Sequence, residues 1–198
     1  METLVTIEDF AAYLKRDLDA FDAYTAQLLL NGACDAVTDY CGWHIAPVLD
    51  ATVVVDGTGT AIQTLPTMNL LSLTSVSEDG RALDVTGIDW STNGVMEKRR
   101  GGCWTGRRRG VITQMGHGFA TTPGWVITLV CAVAGRAIGP ALAADARSGP
   151  ITQETSGGES VTYSAPRTTT LPTAPPGTVT LLTFEKRMLD RIRVPLAA

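Results

Sequence analysis

The chain has 198 residues, a formal charge of −4, 44% hydrophobic residues and 18% charged residues. That is enough apolar material for one core-forming domain and too much for chain-wide disorder. The net charge supplies no global basic field for nucleic acid, and the longest apolar stretch, Trp125 to Gly135, ends at Arg136, far short of the ~20 residues that span a bilayer.

Twenty glycines, ten prolines and 27 threonines predict many turns and strands rather than a purely helical bundle. The opening Met1-Glu2-Thr3 lacks the basic start of a secretory signal, so the expectation is a soluble chain made and kept in a cytoplasm. Cys34, Cys41, Cys103 and Cys131 show no C-x-x-C pair and read as free, buried thiols.

Thr6 is placed to cap a short helix from Ile7 to about Lys15, with Glu8 and Asp9 in its first turn. A second helix is predicted from about Ala20 to Cys41. Its apolar positions Phe21, Tyr24, Leu28, Val37 and Cys41 recur at helical spacing, and Gly42 follows to end it. Asp9, Asp17, Asp19, Asp22, Asp35 and Asp39 fall on the outer faces, and residues 1–50 carry a net −7.

After Pro47 the period changes from helical to alternating. Thr52 to Val55 and Ala61 to Leu65 flank Asp56-Gly-Thr-Gly-Thr60, which predicts a hairpin. Leu70 to Ser77 and Arg81 to Val85 flank a turn at Glu78-Asp79-Gly80. Asp89-Trp90 and Val95-Met96 flank Ser91-Thr-Asn-Gly94, a strong hairpin signal, and Val111 to Met115 reads as a further strand. Helical pattern returns at Thr122-Pro123 and runs to about Ala146, weakened at Gly135 and Gly139-Pro140. A hairpin is expected around Gly157-Gly158, an extended linker over 164–178, and a final amphipathic helix from about Thr183 to Arg193. Phe184, Met188, Leu189 and Ile192 share one face of that helix. Held off by a linker, it would need a partner to cover them.

The fold expectation is therefore α+β. A helical body (1–50 and 120–148) holds two N-terminal helices and one long central helix, and a β-rich antiparallel insertion covers 51–119. A hairpin over 149–163, the linker at 164–178 and a docking helix over 179–198 complete it.

Chemistry is sparse. Cys41 and His44 lie three apart, with Cys103 and His117 elsewhere, but a structural zinc site needs a second short-spaced pair, so no metal is expected. Asp56-Gly57-Thr58-Gly59 has neither the lysine nor the following helix of a phosphate-binding loop. His44 and His117 have no nucleophile elbow, and no carboxylate pair reads as general acid and base, so neither an enzyme nor a cofactor is expected. One charge cluster stands out: Lys98, Arg99, Arg100, Arg107, Arg108 and Arg109 give +5 over 97–109, around Gly101-Gly-Cys-Trp104. Such a loop either contacts nucleic acid or an acidic protein surface, or is simply solvated.

The order of segments carries a resemblance across nearly the whole chain. The segments are Val5-Thr-Ile-Glu-Asp-Phe-Ala-Ala-Tyr-Leu14, Asp39-Tyr-Cys-Gly-Trp-His44, Asp50-Ala-Thr-Val-Val-Val-Asp-Gly-Thr-Gly59, Leu65-Pro66, Trp90-Ser-Thr-Asn-Gly-Val95, Gly101-Gly-Cys-Trp104, Gly116-His-Gly-Phe119 and Phe184-Glu-Lys-Arg-Met-Leu-Asp-Arg191 before Pro195. Together they resemble the head-to-tail adaptor (head–tail connector) proteins of long-tailed bacteriophages, especially those of actinobacterial hosts. The resemblance implies a structural virion protein, assembled in the host cytoplasm, that forms a ring, usually twelve-fold, under the portal. Such a ring extends the DNA channel, touches passing genomic DNA only transiently, and presents a surface to the next connector or stopper protein of the neck. It also implies that a C-terminal segment docks on the portal, which assigns Phe184, Arg187, Met188, Leu189, Arg191 and Ile192 to docking. The six cations at 98–109 would then serve a ring interface or the channel wall. The rival classes are a small DNA-binding module using the Arg-rich loop and a small hydrolase using His117.

Overall fold

A computed structural model describes residues 3–15, 20–145, 153–156, 159–162 and 179–195. Helix α1 (Ile7–Leu14) begins where the Thr6 hydroxyl accepts the Asp9 amide at 3.1 Å, and it ends at Lys15 in the left-handed region. Helix α2 (Ala20–Cys41) and helix α3 (Gly124–Asp145), each of 22 residues, pack against each other. Between and around them Phe10, Leu30, Ala33, Val37, Cys41, Val126, Val130 and Ala134 form a fully dry core. Gly135 faces α1, where a Cβ would make ordinary contact with Leu14 at 3.8 Å.

The strands are β1 (Leu49–Val55), β2 (Ile62–Thr64), β3 (Leu70–Glu78), β4 (Arg81–Leu83), β5 (Ile88–Trp90), β6 (Val95–Lys98) and β7 (Val111–His117). They make two antiparallel sheets, ordered β1-β7-β3-β4 and β2-β6-β5. In β7 the alternation buries Val111, Thr113, Met115 and His117 and exposes Ile112 and Gln114, the pattern of a sheet with one covered face. Leu65, Leu70, Val76, Ile88, Met96, Trp104, Val111 and Met115 close a second core between the two sheets. The turns follow the sequence signals. Asp79 and Gly80 both take positive φ (48° and 79°) between β3 and β4, and Gly94 (φ 73°) closes the β5–β6 hairpin.

Two expectations are corrected. The chain is α+β, but it is not a helical body with a β-rich insertion. The sheet segment has its own core and is fused to the helices: Met68 and Phe119 pack into the helical core, and the Phe119 amide bonds to Ile45 O at 2.7 Å. Nor is Asp56–Thr60 a hairpin turn. β1 pairs with β7 along all seven residues and β2 pairs with β6, so this loop crosses from one sheet to the other. Interactions far along the chain hold it there: the Gly57 amide donates to Arg107 O and the Gly59 amide to Thr105 O.

Strands β8 (Gln153–Ser156) and β9 (Glu159–Thr162) pair antiparallel in the expected hairpin region, whose Gly157-Gly158 tip lies outside the described residues. The linker expected at 164–178 lies outside them too. The last helix, α4 (Thr183–Leu189), packs against α2.

Candidate assembly surfaces

The C-terminal segment is clamped, not stranded. The Glu185 carboxylate, 1% exposed, accepts from both terminal nitrogens of Arg136 on α3 and from the Leu182 amide at 2.7 Å, which also caps α4. Arg136 reaches on to Thr180 O at 3.0 Å. On the α2 side, Tyr40 Oη donates to Asp190 Oδ1 at 2.8 Å, Trp43 Nε1 donates to Ile192 O at 2.6 Å, and the Val194 amide donates to Cys41 O at 2.9 Å. Lys186 and Arg193 lie over the Tyr40 ring at 5.8 and 4.8 Å. Asp190, as acceptor, raises the Tyr40 pKa, and burial pushes the Cys41 thiol up to about 12, which makes it inert packing.

This corrects the expectation that the apolar face of the last helix lacks a partner within the chain. Leu189 is fully buried and Ile192 packs partly against the helical core. Phe184 (59% exposed), Arg187, Met188 (41%) and Arg191 point outward. Phe184, Arg187 and Met188, at spacings of three and one, share one stripe of the α4 surface, and Arg191 follows in the turn just past the helix end. The six residues assigned to docking thus divide into two that hold the segment, Leu189 and Ile192, and four that are exposed, three on α4 and Arg191 after it. Sequence reasoning missed Arg136, Glu185, Tyr40, Trp43 and Asp190. The available signal was Arg136, the charge that interrupts an otherwise apolar helix, because a cation in that position needs a carboxylate.

The basic loop is also divided. Lys98 Nζ bonds Glu78 at 2.8 and 3.0 Å and Cys103 O at 2.9 Å, lying 4.8 Å over the Trp104 ring, while Glu78 also accepts the Thr105 amide at 2.7 Å. Lys98 is therefore part of the fold. Arg99 pairs with Asp89 at 2.7 Å on the surface. Arg100, Arg107, Arg108 and Arg109 are exposed and form no ion pair among the described residues. The backbone beneath them is fixed: Arg107 O accepts from the Gly57 and Gly110 amides, and Arg109, at φ 52°, donates its amide to Asp56 Oδ1 at 2.7 Å. Arg107–Arg109 sit at the Val55/Val111 end of the first sheet, whereas the helices adjoin its His117 end. Exposed acids Glu8, Asp9, Asp35 and Asp39 lie on α1 and α2; Asp17 and Asp19 fall outside the described residues.

His44 and His117 face each other at the junction of helices and sheet, ring centroids 5.9 Å apart. His44 Nε2 lies 2.6 Å from Pro47 O, while His117 is 4% exposed with Nδ1 unpartnered. Burial and then His44 lower the His117 pKa. Cys34, Cys41 and Cys131 are buried free thiols, but Cys103, expected to be buried as well, is exposed in the basic loop, and among the described residues no three His, Cys, Asp or Glu side chains converge on a metal position. No described helix is long and apolar enough to cross a membrane.

No protein-family model and no curated protein matches the sequence. Solved structures do match the fold. A chain in the neck of a native GTA particle, determined with C12 symmetry, shares a TM-score of 0.52 at 12% identity, over 97% of this chain and 90% of that one. A chain in the neck of an empty GTA particle, determined with C6 symmetry, gives 0.53 at 15% identity with the same coverage. The fold of this chain is thus one found in the neck of a phage-like particle, and it spans almost the whole of both chains.

Proposed function

We propose that this protein is a structural, non-enzymatic component of a virion neck, a head-to-tail adaptor that forms a ring under the portal and joins capsid to tail. The observation that carries the reading is the near-complete match in fold to chains of symmetric necks. The surfaces suit it. In this reading Phe184, Arg187, Met188 and Arg191, held in fixed orientation by the Arg136–Glu185 clamp, contact the portal. The exposed arginines of the loop contact a neighbouring subunit, the next ring, or DNA in transit. A cyclic ring needs head-to-tail contacts between unlike surfaces, and a basic tip with acidic helices elsewhere provides them.

The four exposed arginines also favour a second reading, non-specific DNA binding. They lie in a loop with no described helix or paired strand to enter a groove, so phosphate contact without sequence readout is all they would support. The experiment is electron microscopy and mass spectrometry of particles, with co-purification of the chain and a portal protein. A ring containing both upholds the adaptor. A chain found only in the shell, the tail tube or outside particles overturns it, and tight salt-dependent duplex binding by the free chain would promote the second reading.

A further inference from the structure

Helix α2 has two opposite faces. Ala26, Leu30, Ala33 and Val37 are buried in the helical core, whereas Tyr24, Leu28, Asn31, Asp35 and Asp39 recur at spacings of three and four on the exposed side. Tyr24 (73%) and Leu28 (62%) are the most exposed large hydrophobic residues among those described. Asp35 and Asp39 continue the same stripe, form no ion pair among the described residues, and have no lysine or arginine on their own helix. Lys186 and Arg193 stand to one side, over Tyr40, where Asp190 accompanies them. The stripe is thus apolar at one end and acidic at the other.

The tip of the first sheet has the complementary make-up. Val54 and Ile112 are register partners, each 40% exposed, one step in from the Val55–Val111 end. Arg107, Arg108 and Arg109 are exposed in the loop just beyond, with exposed Arg81 at the start of neighbouring β4. Exposed Asp56 and Asp79 lie there too, so four cations against two acids leave the tip at +2, Lys98 and Glu78 cancelling within it. Asp35 borders a cleft with Leu49, at the other end of β1 and about 20 Å from the tip. The two surfaces therefore do not meet within one chain.

Taken with the neck reading, on which this inference rests, the geometry points to the α2 stripe as the seat for the sheet tip of a second copy. Arg107 to Arg109 of one copy face Asp35 and Asp39 of the next, and Val54 with Ile112 covers Tyr24 and Leu28. The tip joins surplus cations to an exposed apolar pair, which matches a stripe that joins unpaired acids to exposed apolar residues. The other surface of that kind, Phe184, Arg187, Met188 and Arg191, is given to the portal in the neck reading. Contact between unlike ends of identical chains repeats from copy to copy, as a cyclic neck needs, whereas two α2 stripes together would set acid against acid.

The test uses necks isolated from particles in which mass spectrometry has found the chain. Arg108→Lys keeps the charge and supplies an amine that a carbodiimide joins to a carboxylate in direct contact. Cross-linked dimers of the chain should yield a peptide joining position 108 to Asp35 or Asp39, a link that the separation within one chain excludes. Asp35→Arg with Asp39→Arg, and separately Arg107→Glu with Arg108→Glu, should leave the melting temperature of the free chain near wild type. Each pair should lower incorporation into necks at least about tenfold, and both pairs in one chain should restore it to within about twofold, because every contact then has its signs exchanged. Linkage of position 108 only to another protein, normal incorporation of either pair variant, or a combined variant no better than its halves overturns the seat and leaves the adaptor standing. Rescue of the Asp35 and Asp39 variant by Arg187→Glu with Arg191→Glu assigns the stripe to the C-terminal segment and equally overturns it. Absence of the chain from particles overturns both.

Discussion

At the scale of single residues, three positions decide whether the parts fit. A Cβ on Gly57 would lie 1.9 Å from Thr105 O, a backbone atom that cannot swing aside. Gly57→Ala must therefore push the 56–60 loop away from the loop that carries the arginines, and it should cost about 1–3 kcal/mol in urea unfolding. Gly59→Ala is a weaker perturbation, since its Cβ would meet only Gly106 Cα at 3.7 Å, although its φ of 68° still disfavours alanine. Glu185 is the second position. Glu185→Gln keeps the shape but removes the charge facing Arg136, whose side chain is 39% exposed. That exposure lets water solvate the orphaned guanidinium, so the loss should be about 1–2 kcal/mol rather than that of a fully buried pair.

His117 is the third position, and its effect depends on pH. Its folded pKa lies below the ordinary 6.5 because burial and His44 oppose the charge. The unfolded chain therefore binds a proton that the folded chain refuses. The contribution of His117 is complete above about pH 6.5 and is lost as pH falls below it. His44 is the neighbour that opposes the His117 charge, and comparison with a His117→Gln variant separates the histidine contribution from carboxylate titration elsewhere in the chain. Chemical denaturation at pH 7.5 and 5.5 should show a smaller drop for His117→Gln than for the wild type. Equal drops would mean that His117 does not titrate in this window.

At the scale of elements, the C-terminal helix gives the clearest prediction. Removing 179–198 takes away Leu189, the Glu185 partner of Arg136 and the Ile192 carbonyl that receives Trp43, so the remaining body should melt markedly lower and expose apolar surface to a dye such as ANS. Phe184→Ser with Met188→Ser alters only the displayed stripe. It should leave the melting temperature almost unchanged while portal co-purification falls. Were the truncated chain to melt like the full one, α4 would be an independent arm after all.

Elements with local causes were legible in the sequence. The Thr6 cap, the Asp79-Gly80 and Asn93-Gly94 turns and the proline-led start of α3 each rest on residues a few positions apart. The misread parts depend on distant partners. Asp56–Thr60 carries the composition of a hairpin turn, yet the Arg107 and Thr105 carbonyls, some fifty residues on, determine its path. Periodicity alone cannot tell Leu189, buried in the helical core, from Phe184, which faces solvent. Within the basic cluster, sequence could not show that Glu78 captures Lys98 and Asp89 captures Arg99.

At the scale of the whole molecule, charge is laid out along a fused helix-and-sheet body, basic at the loop tip and acidic on α1 and α2. Replacing Arg107 and Arg108 by Ser and Arg109 by Asn removes three cations and takes the formal charge from −4 to −7. Asn suits the last position because it tolerates the φ of 52° found there. The backbone bonds of the loop do not involve these side chains, so the free variant should fold with the wild-type melting temperature. An interface role then predicts particles that package DNA but lose their tails, with a defect that the wild type mimics as salt rises, because exposed charges are screened within about 8–10 Å. A channel role predicts tailed particles with altered ejection. Normal tails with normal ejection would leave the arginines as solvated surface. The two assembly roles also differ in the test tube: phosphate contact lowers the salt slope of DNA binding by about one unit per arginine removed, whereas an interface between subunits leaves that slope unchanged.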